Sequence, residues 1–249
     1  MTQSRKYRNP PVVEALCELF FEGSNWDEAV PGQFYERVKK RFPEKAQREA
    51  QQAHVAMSST GEATAGVRRL PPRLQFLTPD RNRMIQLEQD LLVVNQLPPY
   101  PHFEDWQPEI SSALEAYRKL TSPTGVKRLG IRYINRIVIP HSPIDLEDYY
   151  TVYPNLPRDM GNVLEGFLVR FEIPRQNENH TVLVTLAAAP AEKPGEVSQL
   201  LDLYDVYQPS EPIALSDVDH HVLAAHKNVQ AAFEGSITEQ LRKLFAPED

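Results

Sequence analysis

The stretch Gly125 to Pro140 (Gly-Val-Lys-Arg-Leu-Gly-Ile-Arg-Tyr-Ile-Asn-Arg-Ile-Val-Ile-Pro) constrains the fold more than any other segment. β-branched and aromatic residues fill it and Gly and Pro bound it, so it predicts one long strand. Side chains alternate across a strand. Arg128, Gly130, Arg132, Ile134, Arg136 and Val138 therefore share one face, and Leu129, Ile131, Tyr133, Asn135, Ile137 and Ile139 share the other. Such a strand sets three guanidinium groups on one side of a sheet and packs its other side into a core.

What precedes it reads as a strand, a helix, several strands and a helix. Asn9-Pro10-Pro11 is stiff and stops any preceding helix. Val12 to Phe21 alternates, with Glu14, Glu18 and Glu22 on one face and Val13, Cys17, Leu19 and Phe21 on the other. After Pro31, the i, i+4 spacing of Phe34, Val38 and Phe42 predicts a short helix ended by Pro43. Gln51 to Ser59 has strand character, and Thr60 to Ala65 reads as a loop. Arg73–Leu77, Arg83–Glu88 and Leu91–Leu97 read as a three-strand meander. The Leu97–Phe103 loop, with Tyr100 between prolines, breaks it. Phe103 to Leu120 is helical, with Trp106, Ile110, Leu114 and Tyr117 inward.

The same order follows the central strand. A helical piece at about Asp145 to Tyr150 comes first. Strands at Val163–Ile173, Thr181–Ala188 and Glu196–Tyr207 follow, and then a long helix from Asp217 to Phe245 with Ser216 and Asp217 as N-cap candidates. The chain thus divides into halves at 1–124 and 125–249, joined as one continuous unit, although no letter-by-letter repeat links them. This order predicts an α+β fold, an antiparallel sheet with helices on one face. It resembles the saddle of the TATA-box-binding protein or a related helix-grip fold, in which the first strands of two such halves meet at the sheet centre. In that arrangement Glu14 and Glu18 would face Arg128, Arg132 and Arg136 across the strand pair, and Arg170 with Glu172 would extend the ladder.

Bulk properties narrow the function. The 249 residues carry a net charge of -7, which opposes a general nucleic-acid footprint, because that needs a basic surface. The single cysteine, Cys17, excludes an internal disulfide and fits a reducing cytoplasm. No apolar run reaches the roughly 18 residues that span a bilayer. Met1 to Arg8 is polar and basic, unlike a signal peptide.

Four segments carry a family resemblance: Asn9-Pro10-Pro11-Val12-Val13-Glu14; Arg128 to Arg136; Asp202 with Val206-Tyr207; and His226 with Phe233-Glu234-Gly235-Ser236-Ile237-Thr238. Together they resemble a sporadically distributed family of uncharacterised prokaryotic proteins of about this length, over nearly the whole chain. The resemblance implies no particular activity. The patchy distribution of such families implies cargo of mobile elements, such as defence or toxin–antitoxin-like modules.

Arg128, Arg132, Arg136 and Arg170 suit bidentate recognition of a phosphate or carboxylate. The competing reading, favoured by the near-equal counts of facing charges, is a structural ladder neutralised by Glu14, Glu18 and Glu22. Asp217, His220, His221 and His226 form an Asp/His cluster, but their spacing is that of a solvated first helical turn rather than a metal set. His226 suits a polar contact between helix and sheet. Ser236 and Thr238 have no base beside them, Ser236 suiting a bond to helix backbone. Cys17 falls on a core face. No glycine-rich phosphate loop is present. Tyr149, Tyr150 and Tyr153, with Tyr100 in the first half, offer a protein-partner surface or cap the sheet ends. No metal or cofactor is expected. The reading that follows is a non-enzymatic cytoplasmic binding or regulatory protein with a protein partner, a subunit of a small gene module. The alternative is a binder or enzyme for a small anionic ligand such as a nucleotide.

Overall fold

The first strands of the two halves do pair. In a computed structural model, which describes residues 5–48, 51–57, 63–69, 73–157, 159, 164, 166–175 and 178–248, the elements of the first half are β1 (Val12–Glu22), α1 (Val30–Val38), β2 (Glu44–Arg48), β3 (Gln51–Met57), β4 (Ala63–Arg69), β5 (Arg73–Leu77), β6 (Arg83–Glu88), β7 (Leu91–Gln96) and α2 (Phe103–Thr121). The second half supplies β8 (Gly125–Ile139), α3 (Leu146–Tyr149), β9 (Leu168–Arg175), β10 (His180–Ala189), β11 (Val197–Tyr207), α4 (Val218–Ser236) and α5 (Glu239–Leu244). Nine strands form one antiparallel sheet in the order β2-β5-β6-β7-β1-β8-β11-β10-β9, and β3 and β4 pair separately. Outward from the β1–β8 centre, β7, β6 and β5 on one side answer β11, β10 and β9 on the other. The fold is α+β.

The helices cover one face. Ala15, Cys17, Leu19 and Phe21 of β1 and Leu129, Ile131 and Ile137 of β8 are buried there with Trp106, Ile110 and Tyr117 of α2 and Val222, Ala225 and Val229 of α4. Full burial of a large apolar side chain is worth about 1.5–3 kcal/mol, so this layer holds the sheet to its helices. Cys17 is fully buried, and burial pushes its thiol pKa up, which keeps it protonated. The opposite face carries a small apolar cluster, Leu16, Leu91 and Val93 with Phe20, beside the charged rows.

Several boundaries differ from the sequence reading. α1 ends at Val38, yet Phe42 stays buried because the Arg41 and Phe42 amides both fold back onto the Val38 carbonyl (2.9 Å each). β2 has no apolar alternation and exists through its pairing with β5. Ala63 to Ala65, read as loop, belong to β4, and residues 60–62 lie outside the described ones. The strand expected from Val163, itself outside the described residues, starts at Leu168. The long final helix breaks at Ile237. There the Thr238 amide donates to the Tyr149 carbonyl and the Thr151 amide to the Ser236 carbonyl (3.0 Å each), so the backbone at the break is satisfied by α3's end. The Thr238 hydroxyl then accepts from the Leu241 amide and caps α5. Among the described residues no helix is long and apolar enough to cross a membrane.

Candidate functional site

The charged face of the sheet is assembled as its alternation predicts, but its pairs are not those expected. In the β1–β8 register Glu18 stands opposite Gly130 and Glu14 opposite Ile134, so the arginines lie on diagonals. Arg132 turns to β11 and grips Asp202 with two bonds, Nε to Oδ1 at 2.8 Å and Nη2 to Oδ2 at 2.6 Å. This charge-assisted fork raises the Arg132 pKa. Arg128 donates to the Tyr204 hydroxyl (2.6 Å), and that hydroxyl donates to Glu18 (2.6 Å). Glu14 accepts from Asn95 of β7 (2.7 Å). Arg136 binds the Pro190 carbonyl, Ser198 and Glu192. Arg170 does not extend the row. Its strand, β9, is the sheet edge, separated from β8 by β11 and β10, and it pairs with Glu172 two residues away (3.0 Å). Each of the four candidate guanidiniums therefore already has a partner within the chain.

Gly130 makes this network possible. A Cβ on Gly130 would lie 2.5 Å from both Cε2 and the hydroxyl oxygen of Tyr204. The tyrosine ring lies across the glycine, which is the position that brings its hydroxyl between Arg128 and Glu18.

The other face holds the second candidate. Tyr133 and Asn135 stand in the otherwise aliphatic inward row of β8, and both are buried. They line a cavity of about 620 Å³ between the sheet, the start of α2 and the middle of α4. That volume lies within the ~300–1,000 Å³ typical of small-molecule sites. Val12, Leu203 and Leu223 supply apolar wall, and Phe103 from α2 stacks flat on the His226 ring of α4 (3.9 Å between centroids). The N-terminal segment closes one side. It is tied to the C-terminus by the Arg8 and Asn9 amides, which donate to the carbonyls of Ala246 and Phe245 (3.0 Å each). Tyr7 of that segment donates to buried Glu234 (2.7 Å), which also accepts from Arg242 Nε (2.8 Å).

Three hydroxyl and imidazole groups run as a chain along the cavity. The Tyr100 and Tyr133 hydroxyls are 2.8 Å apart, and the Tyr133 hydroxyl is 3.0 Å from Nδ1 of His226. Burial pushes the His226 pKa down to about 4, so the ring is neutral at pH 7. Burial also raises both tyrosine pKa values. A neutral chain of this kind has two coherent proton directions. In one, Tyr133 donates to Nδ1 and Nε2 is a donor. In the other, Nδ1 donates to Tyr133 and Nε2 is an acceptor. The described hydrogen bond of His226 is made through Nδ1, and those of Asn135 through its amide nitrogen, which donates to the carbonyls of Leu201 (3.0 Å) and Tyr133 (3.4 Å).

The remaining candidates are placed elsewhere. Tyr149 and Tyr150 are core residues, bonded to His141 and Gln199, so neither presents an exposed ring to a partner. Tyr153 is half-buried with its hydroxyl on Glu147. Tyr100 lines the cavity. His221 stacks on Tyr207 (4.3 Å), and among the described residues no three His, Cys, Asp or Glu groups gather as a metal site. Ser236 donates to the Ala232 carbonyl (2.7 Å), within its helix. Segments weighed separately in the sequence do converge. Pro10, Pro11, Tyr133, Asn135, His226 and Glu234 come from three of the four family-like segments, and all line the cavity. Asp202, from the fourth, holds Arg132 on the opposite face of the same strand. The signal for the cavity in the sequence is a Tyr and an Asn interrupting an aliphatic row. No protein-family model matches the chain, and no curated protein does.

Proposed function

We propose that the chain is a binding protein whose ligand is a small organic molecule carrying an aromatic ring and a hydrogen-bonding group. The observation that carries this reading is the cavity of about 620 Å³ into which two otherwise anomalous polar residues of β8 and a neutral histidine of α4 converge. The apolar and aromatic lining suits a ring. Nε2 of His226 and Oδ1 of Asn135 give that ring one group able to donate or accept and one acceptor. Of the cations at the cavity, Arg5 pairs with Glu239 (3.0 Å) and Lys6 with Glu104 (3.6 Å), and Lys227 suits an anionic substituent. The arginine face is the weaker site for an anion, because a ligand there would have to displace Asp202, Glu18 or Glu192 from guanidiniums they already hold.

An aromatic sulfonate, 8-anilinonaphthalene-1-sulfonate, is a direct probe. The folded protein should bind it saturably at one site by fluorescence titration. Leu223→Trp, which fills the cavity from α4, should abolish that site while the thermal midpoint is retained, and His226→Phe should weaken it. Binding that survives Leu223→Trp unchanged, or no saturable binding at all, would refute the reading.

A further inference from the structure

The first half covers what the second half leaves open. On the helix side of β5, Phe76 is buried under α1, with the Phe34 and Tyr35 rings 5.6 and 5.9 Å away. The strand in the corresponding place of the second half is β9. Its Phe171 and Ile173 oppose the core residues Val184 and Val182 of β10, so they face the same side. The helix that would answer α1 is α3, which has four residues and packs against α5 instead. Phe171 is consequently 44% and Ile173 49% exposed, and Leu168 on the other side of the strand is 67% exposed. These are three of the six large hydrophobic side chains exposed among the described residues. Phe171 and Ile173 form an apolar strip on the helix side of the sheet edge, and exposed apolar side chains adjacent on one face suit an interaction surface.

Among the described residues β9 is also a free edge, with a definite hydrogen-bonding phase. The Ala188 amide donates to the Phe167 carbonyl (3.0 Å), and Ala187 opposes Leu168. In an antiparallel ladder this phase turns the backbone groups of Val169, Phe171 and Ile173 toward β10 and those of Leu168, Arg170 and Glu172 outward. Pro174 lies in the outward phase, where its missing N–H disturbs no existing ladder bond. The strand is self-complementary about Phe171. If a second β9 runs antiparallel with Phe171 opposite Phe171, Arg170 of each copy meets the other's Glu172 as a hydrogen-bonded pair, and Val169 meets Ile173. Leu168 then donates to the Pro174 carbonyl, which needs no donor from the proline. In the single chain Arg170 and Glu172 pair with each other along the strand, both exposed. Across the two-fold axis the same charges become two cross-strand pairs.

We propose that β9 is a dimerisation strand: a second copy of this chain adds its own β9 antiparallel across a two-fold axis at Phe171, continuing the sheet and setting Phe171 and Ile173 against the Phe171 and Val169 side chains of the other copy. The occupant is a second copy rather than an unrelated strand because the alternation of apolar and opposite-charge residues matches itself in this one register.

Sedimentation equilibrium of the full chain over roughly 1–200 µM tests it. Wild type should show a reversible monomer–dimer equilibrium. Arg170→Glu sets a carboxylate opposite the other copy's Glu172 and should weaken the dimer at least about tenfold. Arg170→Glu combined with Glu172→Arg restores opposite charges in the same register and should bring affinity back to within about threefold of wild type. Both positions are exposed, so circular dichroism of all three proteins should coincide. A monomer at every concentration would overturn the proposal and leave the strip for a different protein. A dimer indifferent to Arg170→Glu, or one that the reversed pair fails to restore, would overturn it equally.

Discussion

Gly130→Ala should destabilise the protein through one side chain, and a double-mutant cycle can show it. The new methyl group would sit 2.5 Å from the Tyr204 ring and hydroxyl. The ring must retreat by roughly 1 Å to reach ordinary van der Waals contact. A shift of that size breaks the 2.6 Å bonds that the Tyr204 hydroxyl makes to Arg128 and Glu18. Overpacking costs about 1–3 kcal/mol and losing a hydrogen bond to a charged group about 1.5–3 kcal/mol. Alanine recovers about 0.5–1 kcal/mol of strand preference over glycine. The net loss expected from these three effects is about 3 kcal/mol, read as a lower urea midpoint at unchanged m-value. In a Tyr204→Ala background nothing remains for the methyl to strike, and Gly130→Ala should become neutral or slightly stabilising. The coupling between the two sites should therefore be about 3 kcal/mol. Equal losses in both backgrounds, with a coupling below about 0.5 kcal/mol, would refute the assignment of Gly130 as the seat of Tyr204.

Two further predictions concern the cavity. The pKa of His226 is about 4 in the folded protein and 6.5 in its unperturbed state, so the unfolded chain takes up the proton first and stability is lost as pH falls from 6.5 toward 4. At ~1.36 kcal/mol per unit this gap is worth about 3 kcal/mol. The stability difference between wild type and His226→Gln, followed by urea denaturation, should shrink or invert over that window, and a difference independent of pH would contradict a buried neutral histidine. Glu234→Gln removes the buried charge that holds Arg242 and Tyr7, leaving Arg242 with the exposed Glu239 as its ion-pair partner, and should cost about 2 kcal/mol. A change in thermal midpoint too small to correspond to even about 0.5 kcal/mol, by the usual ~4 °C per kcal/mol or less for a chain of this size, would mean that the carboxylate is not the anchor of the N-terminal segment.

Local pattern alone specifies the frame. Alternation in Val12 to Phe21 and in Gly125 to Ile139 is enough to say which side chains share a face, because a strand has one period and no alternative. The i, i+4 spacing in α2 suffices for the inward set Trp106, Ile110 and Tyr117. The repeated element order indicates helices on one face of an antiparallel sheet. Long-range packing settles what no short segment encodes. Whether Arg132 holds Glu14, Glu18 or Asp202 depends on the stagger of two neighbouring strands, and the β11 register brings Asp202 within 2.6 Å. β2 is a strand only because β5 lies beside it. Ile237 leaves the helix because the backbone at Tyr149 and Thr151 exchanges hydrogen bonds with the chain on either side of it. Tyr133, Asn135 and His226 are each visible in the sequence as polar residues on apolar faces. That they enclose one space follows from the packing of α2, α4 and the N-terminal segment on the sheet, a property of packed surfaces and of no single segment.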